Sequence, residues 1–353
     1  LARGWEMAQN ISRSIAMTTP MKSKFCRTVW RRVAGRCVSM VARCGWGFFR
    51  GVLGTVLPGL ALAAVWSAHA VTEVIPIPNA SFESPPTVYA DPRIDSWQKT
   101  PKPFWYDESQ GLWDQLTGSF KNTDPGSPDH IHNCDGDQAI WVFAVPEAGL
   151  FQDYETMDWD DSAPTHAFDV RYEVGKSYQL TVGVIGGGGG MREGVSLQAS
   201  LYYRDAASNR VTVAATNIVY SRAQFPDTTN FVDIELRLPA VQATDPWAGQ
   251  RLGIQFLSTV GFDLAGGYWD LDNVRLTAKA AALVEPAVLN GQFRFAIDSE
   301  PGLRFEILAT TNPTLPLAQS ISLGIVTNTG GSVWFTDPGQ SPAGRFYRAR
   351  QLH

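Results

Sequence analysis

Two carboxylates lie inside a segment that otherwise has the composition of a β-strand, residues 268–277 (YWDLDNVRLT). The acids are Asp270 and Asp272, and a carboxylate is costly to bury in a strand unless it is paired. The apolar residues change parity along the segment: Trp269 and Leu271, then Val274 and Leu276. Because side chains alternate strictly between the two faces of a strand, this change predicts a β-bulge near Asp272 and Asn273.

A third carboxylate, Glu83, lies near the start of the same region, in the segment IPNASFESP. The first and last strands of a sandwich are often neighbours, so Glu83 could meet Asp270 or Asp272. Carboxylates that lie together without compensation need a cation, and Ca²⁺ binds carboxylate and backbone carbonyl oxygens. Alternatively, the acids face solvent or accept hydrogen bonds from backbone N–H groups at the bulge. The residues alone leave both interpretations open.

Aromatic residues are concentrated in residues 97–113, among Pro, Lys, Asp and Gln. Flat aromatic rings stack on the apolar faces of sugars, while neighbouring polar side chains bond the hydroxyl groups. Trp105, Tyr106 and Trp113 are therefore the candidate ligand-binding residues. Alternatively, some of the aromatic residues fill the core, which is the interpretation we favour for Trp97 and Trp141.

No set of catalytic groups converges in the sequence. His130, His132 and Cys134 could bind a transition metal, but the missing second pair of ligands favours a polar loop. The acids in residues 155–161 lie adjacent on one loop, whereas glycoside hydrolysis needs two carboxyl groups that flank the substrate. The glycine run 186–190 lacks a following Gly-Lys-Ser/Thr, so it is interpreted as a flexible connection between strands. We therefore expect no enzyme activity.

Residues 1–70 have the layout of a leader with a secretory signal peptide. A basic part precedes the uncharged apolar segment 51–66, and a small-x-small cleavage site ends at Ala70. We expect cleavage after Ala70 and a translation start at Met21 or Met40, in which case the earlier residues are not part of the protein. This leader holds 10 of the 29 Lys and Arg residues and one of the 34 Asp and Glu residues, so the remaining chain has a net charge of −14.

The charge and the cysteines narrow the possible partners. An acidic protein is a poor partner for nucleic acid or for an anionic membrane. We expect a secreted or cell-surface protein without membrane insertion after signal cleavage. Cys134 is the one cysteine outside the leader, so the exported fold cannot depend on an internal disulfide.

Period-2 alternation dominates the rest of the chain, as in YQLTVGV, SLQASLYY and FVDIELRL. Such alternation is typical of half-buried antiparallel strands, and no long segment shows helical periodicity. The sequence therefore predicts an all-β protein. We expect a jelly-roll β-sandwich over residues 71–279, a linker over 280–288 and a second, smaller β-sandwich over 289–353.

Five segments occur in the order seen in secreted bacterial jelly-roll domains of the galactose-binding-like type: IPNASFES, DGDQAIWV, GLFQDY, YEVGKSYQLTVGV and YWDLDNVRLT. Residues 74–277 resemble this family, which includes carbohydrate-binding modules. The resemblance implies a structural Ca²⁺ that bridges the opening and closing strands through Glu83, Asp272 and Asp270. Two positions depart from the family pattern, since Ala80 replaces a proline and Asn273 an aspartate.

Together these features predict a secreted, non-catalytic protein that binds an extracellular polysaccharide or glycan and contains a structural calcium ion. The alternative is a structural or adhesive module of the cell surface or matrix that binds protein. The fold-level resemblance supports the first expectation, although a fold does not by itself determine a function.

Overall fold

The computed structural model describes residues 72–157, 164–339 and 345–352. The predicted leader and signal peptide lie outside the described residues, as does most of the acidic part of the 155–161 segment. The strands of the first domain are β1 (Thr72–Ile75), β2 (Ala90–Asp91), β3 (Gln98–Lys99), β4 (Thr117–Lys121), β5 (Gln138–Phe143), β6 (Gly149–Gln152), β7 (Lys176–Gly188), β8 (Ser196–Arg204), β9 (Arg210–Val219), β10 (Val232–Leu238), β11 (Gly253–Ser258) and β12 (Tyr268–Ala280).

These strands form two antiparallel sheets that pack face to face. The first sheet has the order β10-β7-β12-β5-β4-β2, with β1 added beside β12, and the second has the order β3-β6-β11-β8-β9. Alternating apolar side chains from both sheets, such as Val182 and Ile254, meet in one buried core. Trp97 is buried there between Phe82 and Phe256, as expected. The predicted all-β sandwich is confirmed.

The parity change in the 268–277 segment is a β-bulge. The register between β12 and β7 shifts between Asp272 and Arg275, and Asn273 has a positive φ of 53°. The first and last strands are neighbours, since β1 pairs with β12 along Thr72–Ile75. In addition, the backbone N–H of Val274 donates to the carbonyl of Ala80 at 3.0 Å. Both predictions from the strand pattern are thus confirmed.

The second module starts earlier than the predicted boundary. Its strands are β13 (Ala282–Leu289), β14 (Gln292–Asp298), β15 (Arg304–Thr310), β16 (Ile321–Thr327), β17 (Ser332–Thr336) and β18 (Phe346–Leu352). They form two three-stranded sheets, β13-β14-β17 and β16-β15-β18, around a core that includes Phe295, Phe305 and Phe335. Most of the segment predicted as a linker (280–288) instead belongs to β13, which pairs with β14, and Leu283 packs against this small core.

Helical structure is short throughout the described ranges. Three single-turn 3-10 helices are present: Glu108–Gln110, Trp113–Gln115 and Leu317–Gln319. Within the parts of the chain that the structure describes, no helix has the length and apolar character needed to cross a membrane.

Candidate active site

A small aromatic hollow lies on the outer face of the seven-stranded sheet, away from the second sheet. Trp269 and Leu271 point into the core, so strand alternation turns Tyr268 and Asp270 outward. Across β5, Asp270 pairs with Trp141 and Tyr268 with Phe143. The hollow has a volume of about 70 Å³ and is lined by Phe120, Trp141, Phe143, Tyr268 and Asp270.

Two glycines make room for the walls of this hollow. A Cβ atom at Gly118 would overlap the ring of Trp141, and a Cβ atom at Gly188 would overlap the ring of Tyr268. Gly188 ends β7 and pairs with Tyr268. The interpretation of the glycine run as a flexible connection is therefore wrong at this position, because Gly188 belongs to a strand and an aromatic ring packs directly on its backbone.

We expect Gly188→Ala to displace the Tyr268 ring and to lower the free energy of unfolding by about 1–3 kcal/mol, the usual cost of overpacking. Denaturant unfolding followed by tryptophan fluorescence measures the change. Gly330→Ala is the matched control, because a Cβ there meets no atom within 4 Å. Equal unfolding midpoints for the two variants would show that the Tyr268 ring does not depend on Gly188.

The carboxyl group of Asp270 has no hydrogen-bond donor among the described residues, although the residue keeps partial contact with solvent. Desolvation by the surrounding protein raises its pKa from 3.8 to about 8. The pKa of Tyr268 is raised to about 12, first by burial and then by the charges of Asp270 and Asp129. At neutral pH, Asp270 is therefore mostly a neutral carboxylic acid that can donate a proton.

An apolar cluster continues the outer face beside the hollow. It consists of Ile131, Ala139, Ile185 and Phe231, with the hollow residue Phe120 packed against it. Two asparagines fix the covering segments: Asn122 exchanges hydrogen bonds with the backbone of Ile131, at 2.9 and 3.0 Å, and Asn133 does the same with Phe231, at 2.9 and 2.7 Å. Asp270 thus lies next to a buried apolar cluster whose covering segments are fixed by hydrogen bonds.

The other two predicted acids, Glu83 and Asp272, hold one loop onto the sheet. Asp272 is fully buried and accepts hydrogen bonds from the backbone N–H groups of Asp135 at 2.7 Å and of Asn273 at 2.6 Å. Glu83 accepts from the backbone N–H groups of Asp137 and Gln138 at 2.9 and 2.8 Å. These acids therefore do satisfy backbone donors, which was one of the two interpretations left open by the sequence.

Burial dominates the electrostatics of this loop. It raises the pKa of Asp272 to about 7, against the lowering effect of hydrogen bonds from Asp135, Asn273 and the Cys134 thiol. Burial, followed by the charge of Asp272, raises the pKa of Cys134 far above that of a free thiol. Cys134 is consequently a protonated, unreactive thiol at neutral pH.

Only two of the three predicted calcium ligands contact the same loop. Glu83 and Asp272 contact the same loop, whereas Asp270 faces the aromatic hollow. The described residues contain no group of three or more His, Cys, Asp or Glu side chains that could hold a metal ion.

Calcium binding remains a prediction. If it is correct, a chelator should lower the melting temperature and added Ca²⁺ should restore it, and a melting temperature unaffected by either addition would contradict it.

The predicted aromatic ligand-binding residues form a cluster of their own. Trp105 contacts Tyr106, Trp113 and Phe262 edge to face, with ring centroids 4.8–6.3 Å apart. Their polar atoms bond protein groups: the Trp105 indole N–H donates to Glu147, the Tyr106 hydroxyl to the Gly111 carbonyl and the Trp113 indole N–H to the Thr100 carbonyl. Ligand contact by these three residues remains a prediction, and they are separate from the lining of the acidic hollow.

The fold and the hollow define an all-β sandwich protein with a neutral carboxylic acid set among aromatic rings. The chain belongs to the HpiC1-like family, because a model of that family, described as HpiC1 cyclase, matches residues 73–277. A search of curated proteins gave no match.

Several solved structures are similar to this chain. The Stig cyclase Fisc from Fischerella sp. TAU, solved in complex with (3Z)-3-(1-methyl-2-pyrrolidinylidene)-3H-indole, is 22% identical, with a TM-score of 0.42 over 60% of this chain and 100% of that one. A cyclase from the same organism in complex with 4-(1H-indol-3-yl)butan-2-one is 24% identical, with a TM-score of 0.40 over 59% and 98%. The xylan-binding module CBM15 is 11% identical, with a TM-score of 0.30 over 60% and 97%.

The family membership corrects the functional expectation. The prediction of a non-catalytic protein that binds a glycan, or alternatively an adhesive module, is wrong, because the matching family is one of cyclases. The prediction that the chain is not an enzyme is wrong for the same reason. The galactose-binding-like resemblance holds only at the level of the all-β fold. The absence of familiar catalytic motifs in the sequence therefore did not exclude an enzyme.

Sequence reasoning missed Phe120, Phe143 and Tyr268 and assigned Trp141 to the core. Trp141 is buried as expected, but on the outer face of the sheet, where it covers Gly118. A signal was present in the strand AIWVFAV, which is apolar at both parities. A strand of this kind is covered on both faces, so the outer face also had to be buried or to form a site.

Proposed function

We propose that this protein catalyses the acid-assisted cyclisation of an unsaturated apolar small molecule, with Asp270 as the proton donor. The observation that carries the proposal is the unpaired carboxyl group of Asp270 among four aromatic side chains, with its pKa raised to about 8. Membership of a cyclase family supports the reaction class.

The reaction is an isomerisation that needs no co-reactant. The Asp270 carboxyl group donates its proton to one carbon of a substrate double bond, and the π electron pair forms the new C–H bond. A second π bond of the same molecule then attacks the resulting carbocation and closes a ring. The Asp270 carboxylate finally removes a proton from a carbon beside the new cation, which restores both the double bond and the acid.

The four rings suit the charge that develops in this reaction. Phe120, Trp141, Phe143 and Tyr268 present aromatic groups to the hollow, and the π faces of such groups attract cations. Because a substrate that fills the hollow displaces the water in it, the cation is protected from capture by water. The same rings that keep Asp270 protonated would therefore stabilise the intermediate.

The size of the hollow restricts what enters it. Its volume of about 70 Å³ corresponds to roughly two water molecules at about 30 Å³ each. Only the reacting group of a substrate fits beside Asp270, so the rest of the molecule must extend beyond the hollow along the outer face of the sheet. This arrangement favours an elongated substrate that carries an alkene next to an aromatic or aliphatic apolar group.

The experiment is a turnover screen against apolar compounds that contain an alkene and a second π system. Mass spectrometry after chromatography should detect products of unchanged mass with a new retention time. Asp270→Asn should abolish their formation, a loss of at least about 100-fold for a missing general acid. The control is Asp124→Asn, which removes a carboxylate from the exposed surface. An equal product yield from wild type and Asp270→Asn would refute the proposal.

A second measurement does not depend on the choice of substrate. A ¹³C NMR titration of aspartate carboxyl groups should contain a resonance with a midpoint near 8 that is missing in Asp270→Asn. If the resonance lost in the variant instead titrates near the ordinary value of 3.8, Asp270 cannot act as the acid at neutral pH. An extracellular location remains a prediction beside this proposal.

A further inference from the structure

We propose that a second cleft, on the outer face of the five-stranded sheet, binds a small organic polyanion that carries carboxylate or phosphate groups. The cleft has a volume of about 470 Å³, larger than that of the Asp270 hollow. Its lining is mainly polar: Gln98, Asp153, Tyr154, Glu155, Arg171, Tyr202, Arg204, Ser208, Gln250 and Arg251. It lies on the opposite side of the sandwich from Asp270 and is therefore a separate site.

Three arginines converge on this cleft, and each is held by a different protein group. The Arg204 guanidinium donates to Asp153 at 2.8 Å and to the carbonyl of Ser208 at 3.0 Å. Arg171 donates to the carbonyl of Gly249 at 2.9 Å. Arg251 donates to Asp169 at 3.0 Å and lies over the ring of Tyr154, 3.3 Å from its centroid. A guanidinium has five N–H donors, so each arginine keeps donors for a ligand.

Within the described residues, the lining carries three arginines and two acids, Asp153 and Glu155, and therefore has a net positive charge. Asp153 is buried and already bonds Arg204 and the Tyr202 hydroxyl, the latter at 2.6 Å, and Asp169 pairs with Arg251. Arg171 forms no ion pair within the described residues, and Arg210 adds a further positive charge where it lies 4.0 Å from the centroid of the Phe151 ring. Glu155 is exposed at the rim and is the remaining acid of the lining.

The geometry favours a ligand with more than one anionic group. Arginine recognises carboxylate and phosphate groups through paired N–H donors. Because the three guanidinium groups are separated, they favour a ligand whose negative charges are also at separate positions. The side-chain amides of Gln98 and Gln250 and the hydroxyl of Ser208 can bond neutral oxygens between them. Because both faces of the Tyr154 ring are covered, by Arg251 and by His166 at 3.9 Å, recognition rests on polar groups.

Calorimetric titration of the full chain at low ionic strength tests the proposal, with citrate as the carboxylate probe and pyrophosphate as the phosphate probe. We expect saturable binding of at least one probe. Arg171→Gln should weaken it about tenfold, the cost of losing one charge-assisted contact. Glu155→Gln should strengthen it, because it removes a like charge from the rim. Arg222→Gln is the matched control, since it removes a positive charge from an exposed position outside the lining.

Binding of citrate alone or pyrophosphate alone would support the site and assign the anionic group that it prefers. Absence of saturable binding to both probes would overturn the proposal. So would binding that Arg171→Gln and Arg222→Gln weaken equally, because this result would indicate attraction by the whole surface. Thermal melting of each variant verifies that it is folded, and the opposite sign expected for Glu155→Gln separates a specific effect from general damage.

Discussion

Asp270→Asn should make the protein more stable above about pH 8 while it abolishes turnover. In the folded state the pKa of Asp270 is raised from 3.8 to about 8 by desolvation, so the charged form is unfavourable in its surroundings. An asparagine is neutral at every pH and has nearly the same shape. Since one pKa unit corresponds to about 1.4 kcal/mol, and partial solvent contact reduces the effect, we expect a gain on the order of 2 kcal/mol in the free energy of unfolding.

Denaturant unfolding at alkaline and mildly acidic pH measures this gain. At about pH 5 the gain should be smaller than in alkaline solution, and it should vanish below the ordinary value of 3.8, where the carboxyl group of Asp270 is protonated in both the folded and the unfolded protein. The surface variant Asp124→Asn should follow wild type at both pH values. A variant that is less stable than wild type in alkaline solution would mean that Asp270 is held by a favourable contact, and the case for a free acid would fail.

The wild-type protein should lose stability as the pH rises from about 4 to about 8. The folded pKa values of Asp270 and Asp272 are raised to about 8 and about 7, so in this range the folded state binds more protons than the unfolded state. The free energy of unfolding therefore decreases with increasing pH. Carboxyl groups whose pKa is lowered by hydrogen bonds, such as Asp227 and Asp337, act in the opposite direction, but only near and below their ordinary value of 3.8.

Thermal melting across this range provides the measurement. We expect the highest melting temperature near about pH 5 and a decline toward about pH 8. Asp270→Asn should make the decline shallower and leave the contribution of Asp272. A melting temperature that rises steadily toward pH 8 would show that the two acids are not desolvated as their surroundings indicate.

The strands of the first domain were largely predictable because one face of each strand is buried in the core, so that apolar side chains recur at every second residue. Alternation along 178–184 and 232–238 identified β7 and β10, and the parity change at Asp272 identified the bulge. Local periodicity determines these features, so one sequence is enough. The same reasoning could not assign Asp270, because alternation places a side chain on a face without showing what covers that face.

The site depends on contacts between residues far apart in the sequence. Asp270 becomes a neutral acid only because Trp141 from β5 and Phe120 from β4 lie beside it, and the ring of Trp141 has its place only because residue 118 is glycine. The linker prediction failed for a similar reason: whether 282–289 is a strand depends on its pairing with 292–298. Amino-acid composition does not show which strands pair with each other.

The place of β12 in the first sheet has a consequence for biosynthesis. It lies between β5 and β7 and also pairs with β1, yet it is the last strand of the domain to leave the ribosome. Until residues 268–280 emerge, β5 and β7 present unpaired edges that can join strands of other chains. The strand that carries Asp270 is thus also the strand that closes the sheet, so a nascent or truncated chain lacks both this acid and protection against aggregation.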